Sequence, residues 1–243
     1  NLPPHPKRHH AKFGCGGLQT FAEKNKLPAL IFSTENNPCG SPRMGLGYSV
    51  AGQLALFSKL GFLRIGEKEI TAMVKTIQKY EACFGIKKLA ENNFAKQLAQ
   101  MASERSVWYV ASEHLSGNAH VAANQMNENG KRFAGYFALP ELNHHLLEGM
   151  LNPKSNQNTL LFVLFESKLY HPRNQKRYQI TRKVLDKNSV QAVSYVCQEK
   201  TKTGQMCEVL VLSGYASYYS ALLAGIDPTP IPFVDYFKSQ MAH

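Results

Sequence analysis

The sequence has no apolar segment long enough to cross a membrane. Its longest apolar runs, such as residues 159–165, are far shorter than the roughly 18 residues that a transmembrane helix needs. Residues 1–10 are basic and rich in proline and histidine, but no apolar stretch follows them, so they do not form a secretory signal. With 44% hydrophobic and 19% charged residues, the chain has the composition of a globular protein. We predict a soluble, cytoplasmic protein without a membrane partner.

Paired cysteines with the spacing of a zinc site are also absent. The five cysteines are odd in number and widely scattered, and none belongs to a Cys-x-x-Cys pair. They are Cys15, Cys39, Cys83, Cys197 and Cys207. The pattern predicts free thiols in a reducing compartment and no metal site.

Acidic residues are few. The chain has 17 Asp and Glu against 28 Lys and Arg, a formal net charge of +11, which suits either a nucleic acid or a small anionic substrate. The basic residues are spread along the chain, and one modest cluster within residues 173–183 has the pattern of a solvated helix face. A single Trp and the lack of any recognisable nucleic-acid-binding module argue against a nucleic-acid partner.

Short apolar runs and segments with helical spacing alternate along the chain. The runs predict strands at residues 28–33, 106–111, 132–138, 159–166 and 190–197. The helical spacing predicts helices at about residues 47–60, 67–81, 87–103, 117–131, 173–185, 205–224 and 231–241. Such alternation predicts an α/β protein, with a parallel sheet covered by helices on both faces. In such folds ligands bind beyond the carboxyl ends of the strands.

Two neighbouring segments carry side chains suited to proton transfer. Asn127-Glu-Asn-Gly-Lys131 presents Glu128, and Pro140-Glu-Leu-Asn-His-His145 follows at short range with His144. A carboxylate and an imidazole on adjacent loops are the groups that general acid–base catalysis uses. The structural alternative makes Glu128 a solvated residue near a helix end and His144 a loop histidine.

The order and spacing of these segments resemble those of the bifunctional phosphoglucose/phosphomannose isomerases, which are built from two sugar isomerase (SIS) domains. Three further blocks agree with the same family: Ser41-Pro-Arg-Met-Gly-Leu-Gly-Tyr-Ser49, Asn93-Phe-Ala-Lys-Gln-Leu-Ala99 and Asp227-Pro-Thr-Pro-Ile-Pro-Phe-Val-Asp-Tyr-Phe-Lys238. The resemblance implies two doubly wound parallel-sheet domains. Residues 1–86 would form the C-terminal part of a first SIS domain, and residues 87–243 a second SIS domain with a C-terminal helix.

The resemblance also implies a reaction and roles for four residues. Glu128 resembles the base that moves a proton through a cis-enediol as glucose 6-phosphate or mannose 6-phosphate is interconverted with fructose 6-phosphate. His144 would open the sugar ring, although His145 is an alternative. Lys238 resembles a lysine near the ring oxygen, and Arg43 an arginine that stabilises the enediolate. The structural alternatives are a helix C-terminal cation for Lys238 and a surface loop residue for Arg43.

Partners and cofactors follow from the same resemblance. The family's histidine commonly serves the partner subunit's active site, which implies a homodimer, and the reaction uses no metal or organic cofactor. The choice between glucose and mannose depends on one or two side chains near the hexose C2 and cannot be read from the sequence.

One expected element is missing from the sequence. The family holds the substrate phosphate in a Ser/Thr-rich loop at a helix N-terminus, upstream of the segment that residues 14–22 resemble. Only 13 residues precede that segment here, so we expect the first SIS domain to be incomplete, with exposed apolar faces and weak sugar-phosphate binding. The alternative function is a non-catalytic SIS module that senses a phosphosugar, but the presence of Glu128, His144 and Lys238 together argues against it.

Overall fold

The computed structural model describes residues 17–27 and 29–241, and the chain divides into two compact units, residues 1–67 and 68–243. Among the described residues, no helix is long and apolar enough to cross a membrane.

The smaller unit contains two helices, α1 (Gly17–Lys24) and α2 (Leu46–Lys59), with a 3-10 turn at Pro42–Met44. None of its described residues is buried, and none forms a strand. The strand predicted at residues 28–33 is therefore wrong for residues 29–33, while Pro28 lies outside the described residues. A strand is stable only when a neighbour takes up its backbone hydrogen bonds, and this segment has no pairing partner in the described part of its unit.

The larger unit is organised around a four-stranded parallel sheet. Its strands are β1 (Ser106–Ser112), β2 (Ala134–Leu139), β3 (Leu160–Glu166) and β4 (Gln191–Val196), in the order β2-β1-β3-β4. All three neighbouring pairs are parallel. The four strands predicted downstream of residue 100 are thus confirmed.

Within the part of the chain that the structure describes, eight α-helices accompany the sheet. They are α3 (Glu67–Phe84), α4 (Phe94–Met101), α5 (Ser116–Glu128), α6 (Leu142–His145), α7 (Asn156–Thr159), α8 (Pro172–Lys187), α9 (Lys202–Leu223) and α10 (Pro232–Met241).

The helix predicted at residues 87–103 begins later than expected, at Phe94. Asn93 caps its first turn, because the Asn93 side chain accepts a hydrogen bond from the backbone N–H of Lys96 and donates one to the carbonyl of Phe84. Asparagine at an N-cap stabilises a helix start at that position. The preceding residues form a 3-10 turn at Ala90–Asn92.

Helices cover the sheet on both faces. The connection from β1 to β2 moves one way across the sheet and that from β3 to β4 moves the other way, so right-handed crossovers place α5 and α8 on opposite faces. Helix α5 packs on β1 and β2, α8 packs on β3 and β4, and α9 packs against α4 and α5. This arrangement is a doubly wound α/β sheet, as the alternation of elements predicts.

The core of the larger unit lies between the sheet and these helices. Central positions of β1 and β3, such as Tyr109 and Phe165, are fully buried and stacked with ring centroids 5.6 Å apart. Helix α3 contributes buried Tyr80 and Phe84 to the same core, and the Tyr219 hydroxyl of α9 donates a hydrogen bond to the Phe84 carbonyl. Helix α3 thus packs with the larger unit, whereas the boundary at residues 86/87 between two SIS domains stays a prediction.

Candidate functional site

Glu128 is the last residue of α5 and is half-buried. Because α5 runs antiparallel to the strands it connects, its C-terminus lies near the amino-terminal ends of the strands. The turn that follows is anchored on α9. The buried Asn129 amide donates a hydrogen bond to the Ser217 hydroxyl (3.3 Å), and a Cβ added to Gly130 would lie 2.7 Å from the Met126 sulfur. The position of Glu128 is therefore fixed by packing on both sides of the turn.

Lys131 joins this turn to the segment that precedes the terminal helix. Its ammonium group donates hydrogen bonds to the carbonyls of Glu128, Pro228 and Pro230, the Pro228 contact being 3.2 Å long. The Asn-Glu-Asn-Gly-Lys segment and the Asp-Pro-Thr-Pro segment, almost 100 residues apart in sequence, therefore meet in space. Helix α10, which carries Lys238, begins two residues after Pro230.

Lys238 lies in the last turn of α10 and is exposed. No residue of α10 up to Met241 is buried, and Phe233 and Phe237 on this helix are also exposed. The structure thus brings the start of the helix next to the Glu128 turn, while the Lys238 side chain itself faces away from the core.

His144 and Glu128 lie at opposite ends of the strands: His144 at the carboxyl ends and Glu128 at the amino ends. His144 belongs to α6, which follows the carboxyl end of β2, whereas Glu128 precedes the amino end of the same strand. Six strand residues at about 3.3 Å each separate the two ends by roughly 20 Å. Within one chain, the carboxylate and the imidazole therefore lie about one strand length apart, although their segments are close in sequence, and the partner-subunit histidine that the resemblance implies stays a prediction.

A small polar cavity adjoins His144. Its volume is about 270 Å³, and it is lined by Pro140, Glu141, Asn143, His144 and Arg177. The Asn143 amide donates a hydrogen bond to the buried Thr181 hydroxyl of α8 (2.8 Å), which fixes the loop against that helix. The Asn of the Pro-Glu-x-Asn-His segment is thus a structural anchor for the histidine that follows it.

The neighbouring His145 has different surroundings. Its Nε2 atom lies 4.0 Å from the Glu141 carboxylate, and its ring centroid is 6.1 Å from that of Phe137. His145 does not line the cavity that contains His144 and Arg177. The surroundings favour His144 as the imidazole available to a ligand.

Arg43 belongs to the smaller unit, in the 3-10 turn that precedes α2, and is half-buried. The Asn37 amide donates a hydrogen bond to the Ser41 carbonyl (2.8 Å) and the Met44 N–H donates to the same oxygen (3.0 Å), so local contacts hold the turn.

Buried side chains lie at the carboxyl ends of β1 and β3, where ligands bind in many such sheets. The buried Tyr170 hydroxyl accepts a hydrogen bond from the Ser112 N–H and donates one to the Phe165 carbonyl. Nearby, the Gln205 side-chain oxygen accepts a hydrogen bond from the Ser167 hydroxyl (2.6 Å) and lies 2.8 Å from His114 Nε2. Burial raises the pKa of Tyr170, so its hydroxyl keeps its proton.

Sequence reasoning missed a buried carboxylate on α9. Glu208 is fully buried, and its oxygens accept hydrogen bonds from the Tyr195 hydroxyl and from the backbone N–H groups of Gln198 and Glu199. These contacts fix the loop after β4. A lone Glu in an apolar helix gives no sequence signal of such a role, because its donors come from a different element.

The doubly wound parallel sheet, with helices on both of its faces, defines the larger unit as an α/β domain. A sequence model of the family described as bacterial phospho-glucose isomerase C-terminal SIS domain matches residues 91–241, more than half of the chain. The chain therefore belongs to this family, as its resemblance predicted.

Curated relatives carry the name expected from that resemblance. The chain is 30% identical over 234 residues to a bifunctional phosphoglucose/phosphomannose isomerase from Caldicellulosiruptor bescii, covering 93% of this chain and 66% of the relative. It is 28% identical over 126 residues to the protein of the same name from Aquifex aeolicus, covering 51% of this chain and 39% of that protein. The chain thus spans just under two thirds of the first relative and much less of the second.

The fold is also found in solved structures. Tagatose-6-phosphate ketose/aldose isomerase from Escherichia coli superposes with a TM-score of 0.63 at 19% identity, over 88% of this chain and 59% of that one. At this identity the similarity supports the fold alone.

Proposed function

We propose that the protein is an aldose–ketose isomerase that interconverts glucose 6-phosphate, and mannose 6-phosphate, with fructose 6-phosphate. The observation that carries the proposal is the meeting of two segments distant in sequence, the one that ends α5 with Glu128 and the one that leads into α10 with Lys238. Family membership and the names of both curated relatives support the same reaction.

The reaction needs a base that moves one proton between two neighbouring carbons. The Glu128 carboxylate would remove the proton from C2 of the open-chain aldose and return it to C1. The proton of the C2 hydroxyl would pass to the C1 oxygen, so that the sugar passes through a cis-enediol and ends as the ketose. Arg43 would stabilise the negative charge that develops on the enediolate oxygen. His144 would transfer the proton that opens the ring, and Lys238 would bind near the ring oxygen. No net oxidation occurs, so the residues supply proton transfer and charge stabilisation alone.

In a homodimer, His144 of the partner subunit would lie near Glu128, which is far from His144 of its own chain. Glu128 and His144 of a single chain lie at opposite ends of β2, and these two ends are about 20 Å apart. A two-fold axis that reverses the direction of this strand would bring His144 of the partner subunit towards Glu128. Strand β2 is at the edge of the sheet, where no strand of the described residues pairs with its outer side.

The first test measures isomerisation of fructose 6-phosphate by the full-length protein that carries this sequence, with Glu128→Gln as the variant. Loss of a general base lowers the rate by about 100- to 10,000-fold. Glu104→Gln, at an exposed site between α4 and β1, is the matched control and should keep full activity. Binding of the sugar phosphate without turnover by the parent protein would instead indicate a non-catalytic SIS module.

The second test mixes two inactive variants, Glu128→Gln and His144→Gln, under conditions that exchange subunits. If each site takes its histidine from the partner, each mixed dimer contains one site with both native residues. Each mixed dimer should then have about half the activity of a parent dimer, whereas the dimers of a single variant stay inactive. If both groups act from the same chain, each site of the mixed dimer lacks one of them and the mixture stays inactive. The second result would contradict the shared site.

A further inference from the structure

We propose that Lys131 is a positioning residue that holds the Glu128 turn and the start of α10 in one fixed arrangement. The inference deepens the proposed function, on which it rests for its kinetic consequence. It assigns a role to the last residue of the Asn-Glu-Asn-Gly-Lys segment, whose ammonium group donates to backbone carbonyls.

The contacts of Lys131 are those of a cross-link between two parts of the chain. A lysine ammonium has three N–H donors, and here they reach three backbone carbonyls, one on the Glu128 residue and two on residues 97 and 99 positions further along the chain. Hydrogen bonds from a charged donor are stronger than those between neutral groups. The Glu128 carbonyl is also one of the last of α5, and a cation at a helix C-terminus is favourable.

The far partner of this cross-link is rich in proline. Residues 228, 230 and 232 are prolines, which have no N–H group to donate. Within the segment, the Thr229 N–H donates to the Asp227 carboxylate, and the Asp235 N–H donates to the Ile231 carbonyl only after α10 has begun. Lys131 therefore supplies hydrogen-bond donors to a segment in which three residues have none of their own on the backbone.

The near partner of the cross-link is rigid. Lys131 has a positive φ of 51°, which L-residues adopt only when their surroundings require it. The preceding Gly130 leaves no room for a side chain, because a Cβ there would meet the Met126 sulfur at 2.7 Å and the Ser217 carbonyl at 3.3 Å. The turn thus presents the lysine side chain from a fixed base on α5 and α9.

The consequence concerns geometry rather than chemistry. The ammonium group of Lys131 donates its hydrogen bonds to backbone carbonyls, so we assign Lys131 a positioning role and not the role of base or acid. Its loss would let residues 227–231 shift relative to Glu128, and a displacement of about 1 Å in a catalytic arrangement costs about 100-fold in rate.

The kinetic test compares Lys131→Met and Lys131→Arg with the parent full-length protein. We expect Lys131→Met to lower kcat by about 100-fold, with KM changed less than about twofold and an unshifted pH–rate profile, because no titrating group is removed. Lys131→Arg, which keeps the charge and can still reach carbonyls, should recover most of kcat. Lys154→Met, at an exposed position before α7, is the matched control and should retain parent activity.

A second readout does not depend on catalysis. Amide hydrogen exchange over residues 229–235 should become at least tenfold faster in Lys131→Met and stay unchanged in Lys154→Met. Parent-like kcat and unchanged exchange in Lys131→Met would overturn the inference, as would a Lys131→Arg variant no better than Lys131→Met. If the parent proves inactive as an isomerase, the proposed function fails, and the exchange comparison still decides whether Lys131 holds the segment.

Discussion

Both units of this chain contain large apolar side chains, but among the described residues only the larger unit buries them. In residues 68–243, Tyr109, Leu161 and Phe165 are fully buried around a parallel sheet. In the smaller unit, Phe32 stacks on Tyr48 with ring centroids 5.3 Å apart, yet no described residue is buried and a cavity of about 580 Å³ opens among mainly apolar side chains. Apolar composition alone therefore does not produce a core; a sheet that brings the side chains together is also required.

The difference falls on either side of the division at residues 67/68, while the predicted organisation into two SIS domains stays a prediction. We propose that the smaller unit is part of a first SIS domain.

Separating the two units should produce the largest effect. A fragment of residues 67–243, which keeps α3 whole, should unfold cooperatively with a midpoint close to that of the whole chain, because its core is its own. A fragment of residues 1–66 should show no cooperative transition, because none of its described residues is buried and buried apolar surface is what offsets the entropy of ordering. Circular dichroism during urea unfolding measures both. A cooperative transition in the smaller fragment would show that it has a core of its own.

A matched pair of phenylalanines compares the units residue by residue. Phe165 in β3 is 0% exposed and Phe57 in α2 is 41% exposed. Phe165→Ala should lower the free energy of unfolding by about 3–5 kcal/mol, because it leaves a cavity in the core. Phe57→Ala should change it by less than about 0.5 kcal/mol. Equal losses in urea unfolding of the two variants would contradict the contrast between the units.

The buried Glu208 tests whether polar groups also fix the larger unit. In Glu208→Gln an amide NH₂ replaces one carboxylate oxygen and faces the N–H donors of Gln198 and Glu199. We expect a loss of about 1–3 kcal/mol in the free energy of unfolding. Glu104→Gln, at an exposed position, is the control. A parent-like midpoint for Glu208→Gln would mean that the loop after β4 is not held by this carboxylate.

The smallest effect should come from Glu113, at the carboxyl edge of the sheet. Burial acts to raise the pKa of its carboxyl, but hydrogen bonds from the Asn174 amide and the His171 N–H outweigh burial and hold the pKa below its ordinary value of 4.5. A lowered pKa in the folded state contributes stability that is present above the unfolded pKa and is lost as the pH falls through the folded value.

Glu113→Gln should therefore lower stability at pH 7 by less than about 1 kcal/mol, because the group is largely exposed. The difference from the parent should shrink as the pH falls below about 4. Urea midpoints at pH 7 and pH 3 measure this change. A difference that grows towards pH 3 would contradict the direction of the pKa shift.

Parts of the fold that depend on local patterns were predictable. The four strands from β1 to β4 are short apolar runs between turns, and the helices α2, α5, α8, α9 and α10 lie within a few residues of their expected bounds. The start of α4 was predicted seven residues too early, because the pattern of apolar residues continues through a segment that Asn93 separates from the helix. The strand expected at residues 28–33 fails for residues 29–33, since strand formation depends on a partner that local sequence does not describe.

The sequence by itself determined the family, the α/β class and the residues suited to proton transfer, because these depend on residue types and spacings along the chain. Only the tertiary structure decided that Glu128 and His144 lie at opposite ends of the strands and that Lys131 connects the Glu128 turn to Pro228. The physical reason is that packing in three dimensions sets both the direction of a strand and which residue a side chain contacts, here one that is 97 positions further along the chain.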